Sequence, residues 1–269
     1  MTILDPPMKW HGGKYKYAKR ILALAPPHET YVEPYCGACH VLLRKNPDDI
    51  SEVVNDVYGD LTNFWRVLQD EQNFAKFHRI IEAVPCSEIE FRDAMKGLGQ
   101  GDTVQRAVKF FIAARLSLSA RMKDFTSLTK KRLRRRMNEQ VSAWLTTIEG
   151  LPTVHARLKR VLILNDDALE IIRKFDSPTT WFYLDPPYLQ GTRTAKDVYQ
   201  FEMTEWQHKK LLLVLSRIKG KFALSGYRSK LYDLAANKWN WKLTEFPATI
   251  HSAGGKTKRK ATESVWMNY

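Results

Sequence analysis

The tetrapeptide Asp185-Pro186-Pro187-Tyr188 combines groups that could transfer a methyl group to an amine on a planar ring. An exocyclic base amine is a poor nucleophile because its lone pair is conjugated into the ring. Asp185 and the carbonyl of Pro186 could each accept one amine hydrogen bond, and the prolines would hold both acceptors rigidly. Tyr188 offers a ring face on which an extruded base could stack. This chemistry fits the amino groups of adenine and cytosine alike.

A second group of residues is typical of a nucleoside-binding turn. The segment Glu33-Pro34-Tyr35-Cys36-Gly37-Ala38-Cys39 follows a short apolar run, and its small residues would let the backbone approach a nucleoside. Asp56 comes 23 residues after Glu33, a spacing at which an acid commonly binds ribose hydroxyls. A helix N-cap is the alternative role for Asp56. Together these residues indicate an adenosine-type cofactor, either a dinucleotide or S-adenosylmethionine.

The positive charge of the chain is concentrated in two runs. The net charge is +14, and residues 105–136 hold eleven Lys and Arg against one acid, Asp124. Such runs are often solvated faces, but two of them near one candidate site favour a polyanionic partner. The candidate phosphate contacts are Arg115, Arg121, Lys123, Lys130, Lys131, Arg132, Arg134, Arg135, Arg136, Lys256, Lys258 and Arg259.

Alternating strands and helices must position these residues. The expected strands are Tyr31–Glu33, Glu52–Asp56, Val161–Leu164, Thr180–Leu184 and Lys221–Ser225. The expected helices are His40–Arg44, Leu61–Leu68, Val108–Arg115, Ala168–Lys174 and Trp206–Ile218. This alternation predicts an α/β fold, with a mainly parallel, doubly wound Rossmann-like sheet and helices on both faces. Residues 70–151 are patterned for helices, short of strands, and look like an insertion.

Composition excludes several other classes of protein. Three cysteines do not make a disulfide scaffold. Cys36-Gly37-Ala38-Cys39-His40 matches a haem or redox pattern, but there is no second cysteine pair for zinc and no export signal. No metal site is expected. The sequence has no stretch of 18 apolar residues and no signal peptide, so we expect a soluble cytoplasmic protein without membrane contacts.

The order of the motifs resembles the Dam-type DNA adenine-N6 methyltransferases, the alpha group of the D12 class. Lys9–Lys14 resembles the N-terminal K-W-x-G-G-K signature of that family, and Val32–Gly37 resembles its V-E-P-F-x-G turn. Asn55-Asp56 resembles its ribose-binding acid, and Asp185–Tyr188 is its D-P-P-Y. The resemblance covers most of the chain except the middle.

The resemblance implies an enzyme that methylates adenine N6 of a flipped-out base in double-stranded DNA. It implies S-adenosylmethionine as cofactor, Asp185 to Tyr188 as catalytic residues, and a monomer or weak dimer. Residues 1–69 and 152–269 would form the catalytic domain, and 70–151 the target-recognition insertion. Ser225–Tyr227 and Gly254–Lys256 would lie near the target base and DNA. The implied cofactor-binding residues are Trp10, Lys14, Glu33, Pro34, Tyr35, Gly37, Asp56, Asp166 and Asp185.

Two departures from the family pattern limit what the resemblance implies. Cys39 stands where the family turn usually ends in Gly, and Arg115–Phe125 replaces the family's N-R-x-G-x-N-G-like segment. The recognition sequence is therefore not implied, nor is a restriction-modification partner. The middle is more similar to phage and prophage versions, so the setting would be a bacterial or phage-infected cell. Cytosine-N4 or RNA methylation, and a catalytically inactive DNA-binding protein, stay as alternatives.

Overall fold

The computed structural model describes residues 4–118, 121–126, 131–192, 201–249 and 260–269. Its helices are α1 (Ala18–Leu22), α2 (Gly59–Gln69), α3 (Glu71–Ala83), α4 (Glu88–Lys96), α5 (Thr103–Leu116), α6 (Glu139–Leu158), α7 (Ala168–Lys174), α8 (Glu205–Leu215) and α9 (Lys230–Lys238). Its strands are β1 (Thr30–Glu33), β2 (Ser51–Asn55), β3 (Leu133–Arg134), β4 (Met137–Asn138), β5 (Val161–Leu164), β6 (Thr180–Leu184), β7 (Lys221–Gly226), β8 (Lys242–Thr249) and β9 (Lys260–Met267).

Within these ranges seven strands form one mainly parallel sheet, in the order β5-β2-β1-β6-β7-β9-β8. β1 pairs in parallel with β2 and β6, and β6 pairs in parallel with β7. β9 runs antiparallel to both β7 and β8. The order of the strands reverses between β1 and β6, and ligands of doubly wound sheets bind beyond the carboxyl ends of strands at such a reversal. The predicted α/β, Rossmann-like fold is confirmed.

Burial explains why the central strands form where they do. All five residues of β6, Thr-Trp-Phe-Tyr-Leu, are buried, and four of the five residues of β2 are buried. A parallel strand covered by helices on both faces carries such continuous apolar runs, rather than the alternating pattern of a half-exposed strand. β6 therefore provides a rigid support for the residues that follow it.

The chain divides into two compact units. The first unit comprises the described residues of Met1–Lys19, Gly37–Asn46 and Tyr58–Asn165. The second comprises those of Arg20–Cys36, Pro47–Val57 and Asp166–Tyr269. The division predicted from the sequence, with an insertion over residues 70–151, stays a prediction.

The first unit is built around aromatic side chains on its helices. Phe64 of α2 stacks on Phe111 of α5, with ring centroids 5.7 Å apart and planes 9° apart, and Trp144 of α6 packs on Phe111 at 5.4 Å. Asp102 and Gln105 form a reciprocal capping box at the start of α5. The aromatic core and the capping box together fix the position of α5, which overlaps the basic segment, residues 105–136.

Part of the basic segment forms a hairpin that the sequence analysis did not predict. β3 and β4 pair antiparallel around Arg135 and Arg136, whose φ angles are 55° and 61°. A two-residue hairpin turn of this kind needs positive φ at both positions, which usually selects Asn-Gly. Arg135 and Arg136 occupy these positions instead, so the sequence carries no turn signal here, and its pattern predicts helices for the whole of residues 70–151.

Other predicted elements need smaller corrections. The helix predicted at His40–Arg44 is a single 3-10 turn over Leu42–Arg44, because Cys39 before it has φ 52° and Pro47 soon follows. The helix predicted at Trp206–Ile218 is α8, which ends earlier, at Leu215. The strands β8 and β9 and helix α9 were not predicted. No helix in the described part of the chain is long and apolar enough to cross a membrane.

Candidate active site

Asn55 joins three segments at the carboxyl ends of the strands in the second unit. Its side-chain Nδ2 donates to the carbonyls of Pro34 and Asp166, both at 3.0 Å, and its Oδ1 accepts from the Asp166 amide at 2.9 Å. Its own carbonyl accepts from the Cys36 amide at 2.9 Å. This buried amide therefore holds the turn after β1 beside the segment around Asp166.

Two buried tyrosines lie beneath this edge of the sheet. The Tyr31 hydroxyl donates to Oε1 of Glu33 at 2.6 Å, on the same face of β1. The Tyr183 hydroxyl and Oγ of Ser225 are 2.9 Å apart. Burial raises the pKa of Tyr183 well above its usual value, and the carboxylates of Asp185, Glu263 and Glu33 raise it further. Three acids therefore lie near one phenol: Glu33 at the end of β1, Asp185 directly after β6, and Glu263 within β9.

The predicted catalytic tetrapeptide begins directly after β6. Asp185 is half-buried, whereas Tyr188 is only 6% exposed. The Tyr188 hydroxyl donates a hydrogen bond to Glu263, and its ring packs edge-on against Tyr227 with centroids 4.8 Å apart. The ring on which a base was predicted to stack is thus largely covered, so stacking requires its neighbours to move.

The remaining predicted cofactor residues of the second unit lie close to one another. Asp56 follows β2 directly and is half-buried. Burial raises the pKa of Tyr35, and Tyr232, Asp167 and Asp56 raise it further, so both acids lie near its phenol. Asp166 is exposed, and its Oδ1 accepts from the Asp167 amide at 2.8 Å. Asp167, not Asp166, caps α7.

In the first unit, Trp10 lies against the glycine turn. A Cβ atom on Gly37 would lie 2.6 Å from Nε1 of Trp10, and Gly37 has φ +46°. The Trp65 indole donates to the Gly37 carbonyl at 2.9 Å. The Trp10 ring also lies 6.5 Å from Tyr58 and 6.4 Å from Phe110, centroid to centroid. The structure therefore brings together the N-terminal signature and the glycine turn, which are distant in the sequence.

Lys14, the last residue of the N-terminal signature Lys9–Lys14, is also buried. It is 4% exposed, and its ammonium donates to the Gly12 carbonyl at 2.7 Å. The ring of His40 fills the space beside Gly13, where a Cβ would lie 2.2 Å from Cε1 of the imidazole. Burial, and then the charges of Lys14 and Arg44, lower the pKa of His40 to about 3. His40 is therefore neutral at physiological pH and packs as a structural ring.

Arg115 differs from the other predicted phosphate contacts because it is half-buried. Its guanidinium donates to the Ala143 carbonyl of α6 at 3.0 Å. Burial lowers its pKa to about 10, and the neighbouring charge of Arg134 contributes. Lys9 lies nearby, and its pKa is lowered to about 8 by burial and by Arg115. This placement favours a structural role for Arg115 inside the protein over a contact with a DNA phosphate.

Most of the other predicted basic residues in the described ranges lie at the surface. Arg135 donates to both carboxylate oxygens of Glu149 and to the Thr146 hydroxyl, which ties the hairpin turn to α6. The other predicted phosphate contacts with exposed side chains are Arg121, Lys123, Lys131, Arg132, Arg134 and Arg136. Lys130, Lys256, Lys258 and Arg259 lie outside the described residues.

Several residues that shape this site carry little or no local signal in the sequence. Asn55 was noted only as part of a motif, and Tyr183 and Glu263 were not singled out. Glu263 carried one local signal, which is an acid in the apolar alternation of Glu-Ser-Val-Trp-Met. Within the described ranges, no group of three His, Cys, Asp or Glu side chains could hold a metal ion.

Comparison with known proteins adds independent findings. A family model described as "D12 class N6 adenine-specific DNA methyltransferase" matches residues 10–248, well over half of the chain. Two curated relatives, each named "DNA adenine methylase", come from Escherichia coli strain K12 and Escherichia coli O157:H7. Each is 29% identical over 106 residues, which cover 38% of this chain and only 37% of the relative. The similarity to phage and prophage versions stays a prediction.

Proposed function

The chain belongs to the D12 class of N6 adenine-specific DNA methyltransferases, and on that premise we propose that it transfers a methyl group from S-adenosylmethionine to adenine N6 in double-stranded DNA. One observation carries this proposal, namely the position of Asp185-Pro186-Pro187-Tyr188. The tetrapeptide leaves the buried strand β6 at the reversal of strand order, where ligands of doubly wound sheets bind.

The residues after β6 orient the amine of the target base. Asp185 accepts one N6 hydrogen bond, and the Pro186 carbonyl accepts the other. With both hydrogens engaged, the nitrogen lone pair turns out of the ring and towards the methyl donor. Pro186 and Pro187 restrict φ, so the two acceptors are in place before the base arrives. Orientation and proximity supply most of the rate enhancement.

The residues present suit S-adenosylmethionine. Asp56 provides a half-buried carboxylate for the ribose hydroxyls, and Glu33 and Asp185 place negative charge where a cationic donor would bind. When bound, S-adenosylmethionine supplies a methyl group already activated on a sulfonium. The residues that we assign to cofactor binding are Trp10, Lys14, Glu33, Pro34, Tyr35, Gly37, Asp56, Asp166 and Asp185.

The basic segment supplies the contacts to DNA. We assign target recognition to residues 70–151, in which the β3–β4 hairpin exposes Arg134 and Arg136 at its turn. Arginines neutralise phosphates and release counterions, and a two-stranded ribbon fits the major groove. The run Lys256, Lys258, Arg259 supplies further contacts. Because its proposed substrate is the DNA of a bacterial or phage-infected cell, the protein acts in the cytoplasm.

Label transfer tests the proposed reaction directly. The protein is incubated with S-adenosylmethionine labelled in the methyl group and with unmethylated plasmid DNA, and the DNA is digested to nucleosides. We expect the label in N6-methyladenine. Label in N4-methylcytosine would move the target to cytosine, transfer to RNA alone would replace the substrate, and no transfer to any duplex would overturn the enzyme proposal.

The variant Asp185→Ala tests the site. Loss of the amine acceptor should abolish label transfer, whereas retention of DNA in a gel-shift assay should stay close to that of the wild type. Glu205→Gln is a matched control, since it removes an exposed carboxylate paired only locally with Lys209 on α8. Transfer by Asp185→Ala at the rate of the control would contradict the assignment of Asp185.

A further inference from the structure

Tyr188 and Glu263 form a buried hydrogen bond between the tetrapeptide and strand β9. Tyr188 is 6% exposed and Glu263 is 4% exposed. The Tyr188 hydroxyl donates to Oε1 of Glu263, 75 residues further along the chain. The fold therefore brings a carboxylate from a distant strand to the phenol of the proposed catalytic turn.

The backbone that carries Glu263 is held along both of its edges. β9 lies between β7 and β8, where Glu263 pairs with Phe246 and the next residue, Ser264, pairs with Gly226. A strand with ladders on both edges cannot slide without breaking many hydrogen bonds. The Glu263 carboxylate is thus presented to Tyr188 from a fixed point.

A carboxylate is an unfavourable choice for this position on stability grounds alone. Val265 and Trp266, which follow on the same strand, are completely buried. Burial of a charged group is costly unless it is hydrogen-bonded, and buried acids that perturb their neighbours concentrate at functional sites. Burial, then Glu263 and Asp185, raise the pKa of Tyr188 well above its usual value, so the phenol keeps the proton that it donates.

The ring of Tyr188 is held at a second point by Tyr227. The two rings pack edge-on, with centroids 4.8 Å apart and planes 73° apart. Contact at the hydroxyl and at the ring leaves the phenol little freedom to swing about its Cα–Cβ bond.

We propose that Glu263 is a positioning residue for the methyl transfer proposed above, because its carboxylate holds Tyr188, and through it the tetrapeptide that carries the amine acceptors, in a fixed position beside β9. Glu263 acts through Tyr188. Loss of the carboxylate therefore lowers kcat and leaves the affinity for S-adenosylmethionine unchanged. This inference rests on the proposed function.

Three variants on β9 measure this role through the initial rate of label transfer at saturating plasmid DNA. Glu263→Ala should lower kcat by about tenfold to a hundredfold, the loss expected from a misplaced group. Glu263→Gln keeps an oxygen that accepts the phenol hydrogen bond and should restore kcat to near the wild-type value. Ser264→Ala, on the opposite face of β9, is the control and should not change kcat.

The affinity for S-adenosylmethionine, measured by calorimetry, should be the same for wild type and all three variants. Equal kcat for Glu263→Ala and wild type would overturn the proposal. Equal losses in the Ala and Gln variants would also overturn it, because the hydrogen bond would then not be the cause. A wild-type protein that transfers no label shows instead that the proposed function has failed.

Tyr188→Phe tests the same contact from its other end, even if Glu263→Ala does not fold. It removes one oxygen and keeps the ring, so it should reproduce the loss in kcat. The shifts in Tm for Tyr188→Phe and Glu263→Leu, each of which removes the hydrogen bond, should be strongly non-additive in the double variant, as for residues in direct contact. This measurement needs no activity, and additive shifts would overturn the contact itself.

Discussion

Gly37 is the point at which two tryptophans meet the backbone of the first unit. Trp10 lies over the position that a Cβ would occupy, at 2.6 Å, and Trp65 donates to the carbonyl at 2.9 Å. The backbone here has φ +46°, a region that L side chains enter at a cost. Both the space and the conformation therefore require glycine.

Gly37→Ala should destabilise the protein. The left-handed conformation alone costs about 1–2 kcal/mol with a side chain present, and displacement of Trp10 adds to that loss. The free energy of unfolding in urea measures the effect. Binding of S-adenosylmethionine should weaken as well, because Trp10 is a proposed cofactor contact.

Gly150→Ala is the matched control for this substitution. Gly150 lies inside α6, and no described atom outside its chain neighbours and the adjacent backbone of α6 lies within 4 Å of a Cβ placed there. Alanine in a helix interior is favoured over glycine by about 0.5–1 kcal/mol, so this variant should be more stable than wild type. Two Gly-to-Ala changes of equal sign would contradict our account of Gly37.

His40 should make the protein less stable in mild acid. Above pH 6.5 the imidazole is neutral in both the folded and the unfolded chain. Below that pH the unfolded chain takes up a proton that the folded chain refuses until about pH 3. The free energy of unfolding therefore falls by about 1.4 kcal/mol per pH unit in this range.

Urea unfolding at pH 7 and pH 5 checks this effect. His40→Gln should be about 2 kcal/mol less sensitive to the change than wild type. His78→Gln removes a histidine on α3 and serves as control. An unchanged pH dependence in His40→Gln would show that other groups cause the loss in acid.

At the scale of elements, the β3–β4 hairpin is notable for its strained turn. Arg135 and Arg136 both have positive φ, and Arg135 is hydrogen-bonded to Glu149 and Thr146 on α6. Strained backbone persists where surrounding contacts fix it, often at functional sites. Because Arg135 anchors the turn to α6, the backbone positions of the neighbouring Arg134 and Arg136 are fixed by the hairpin.

The double variant Arg134→Ala, Arg136→Ala should bind DNA more weakly at low salt and depend less on salt. Each phosphate contact contributes about 0.9 to the slope of log K against log salt concentration, so the slope should fall by about 2. Fluorescence anisotropy with duplex DNA between low and moderate salt gives this slope. Lys209→Ala, on α8, removes an exposed cation paired with Glu205 and should leave the slope unchanged.

Across the whole molecule, the sequence predicts the strands and turns that local patterns encode, but not the contacts between residues that lie far apart in the chain. The strand before Asp185 and the turn that contains Gly37 are predictable from the sequence. In both places an apolar run is followed by Pro, Gly or an acid, and this pattern marks the end of a strand within a few residues. Asn55 binds Asp166 across 111 residues, and Tyr188 binds Glu263 across 75. No local pattern encodes such pairs, so they emerge only once the sheet is assembled.

The antiparallel edge of the sheet was missed for a related reason. β8 reads Lys-Leu-Thr-Glu-Phe-Pro-Ala-Thr, in which charges and a proline weaken the strand signal. Its stability comes from the ladder with β9, along which eight residue pairs are in register. Recognition of both strands required knowledge of their pairing.

The position of β9 has a consequence for biosynthesis. It is translated after every other strand of the described sheet, yet it lies between β7 and β8, which leave the ribosome earlier. A nascent chain that has completed β8 already carries the tetrapeptide Asp185–Tyr188 and the glycine turn. Its sheet still has an open edge at β7, and Tyr188 cannot yet bond to Glu263. Incomplete chains that lack β9 are therefore expected to lack the activity that we propose.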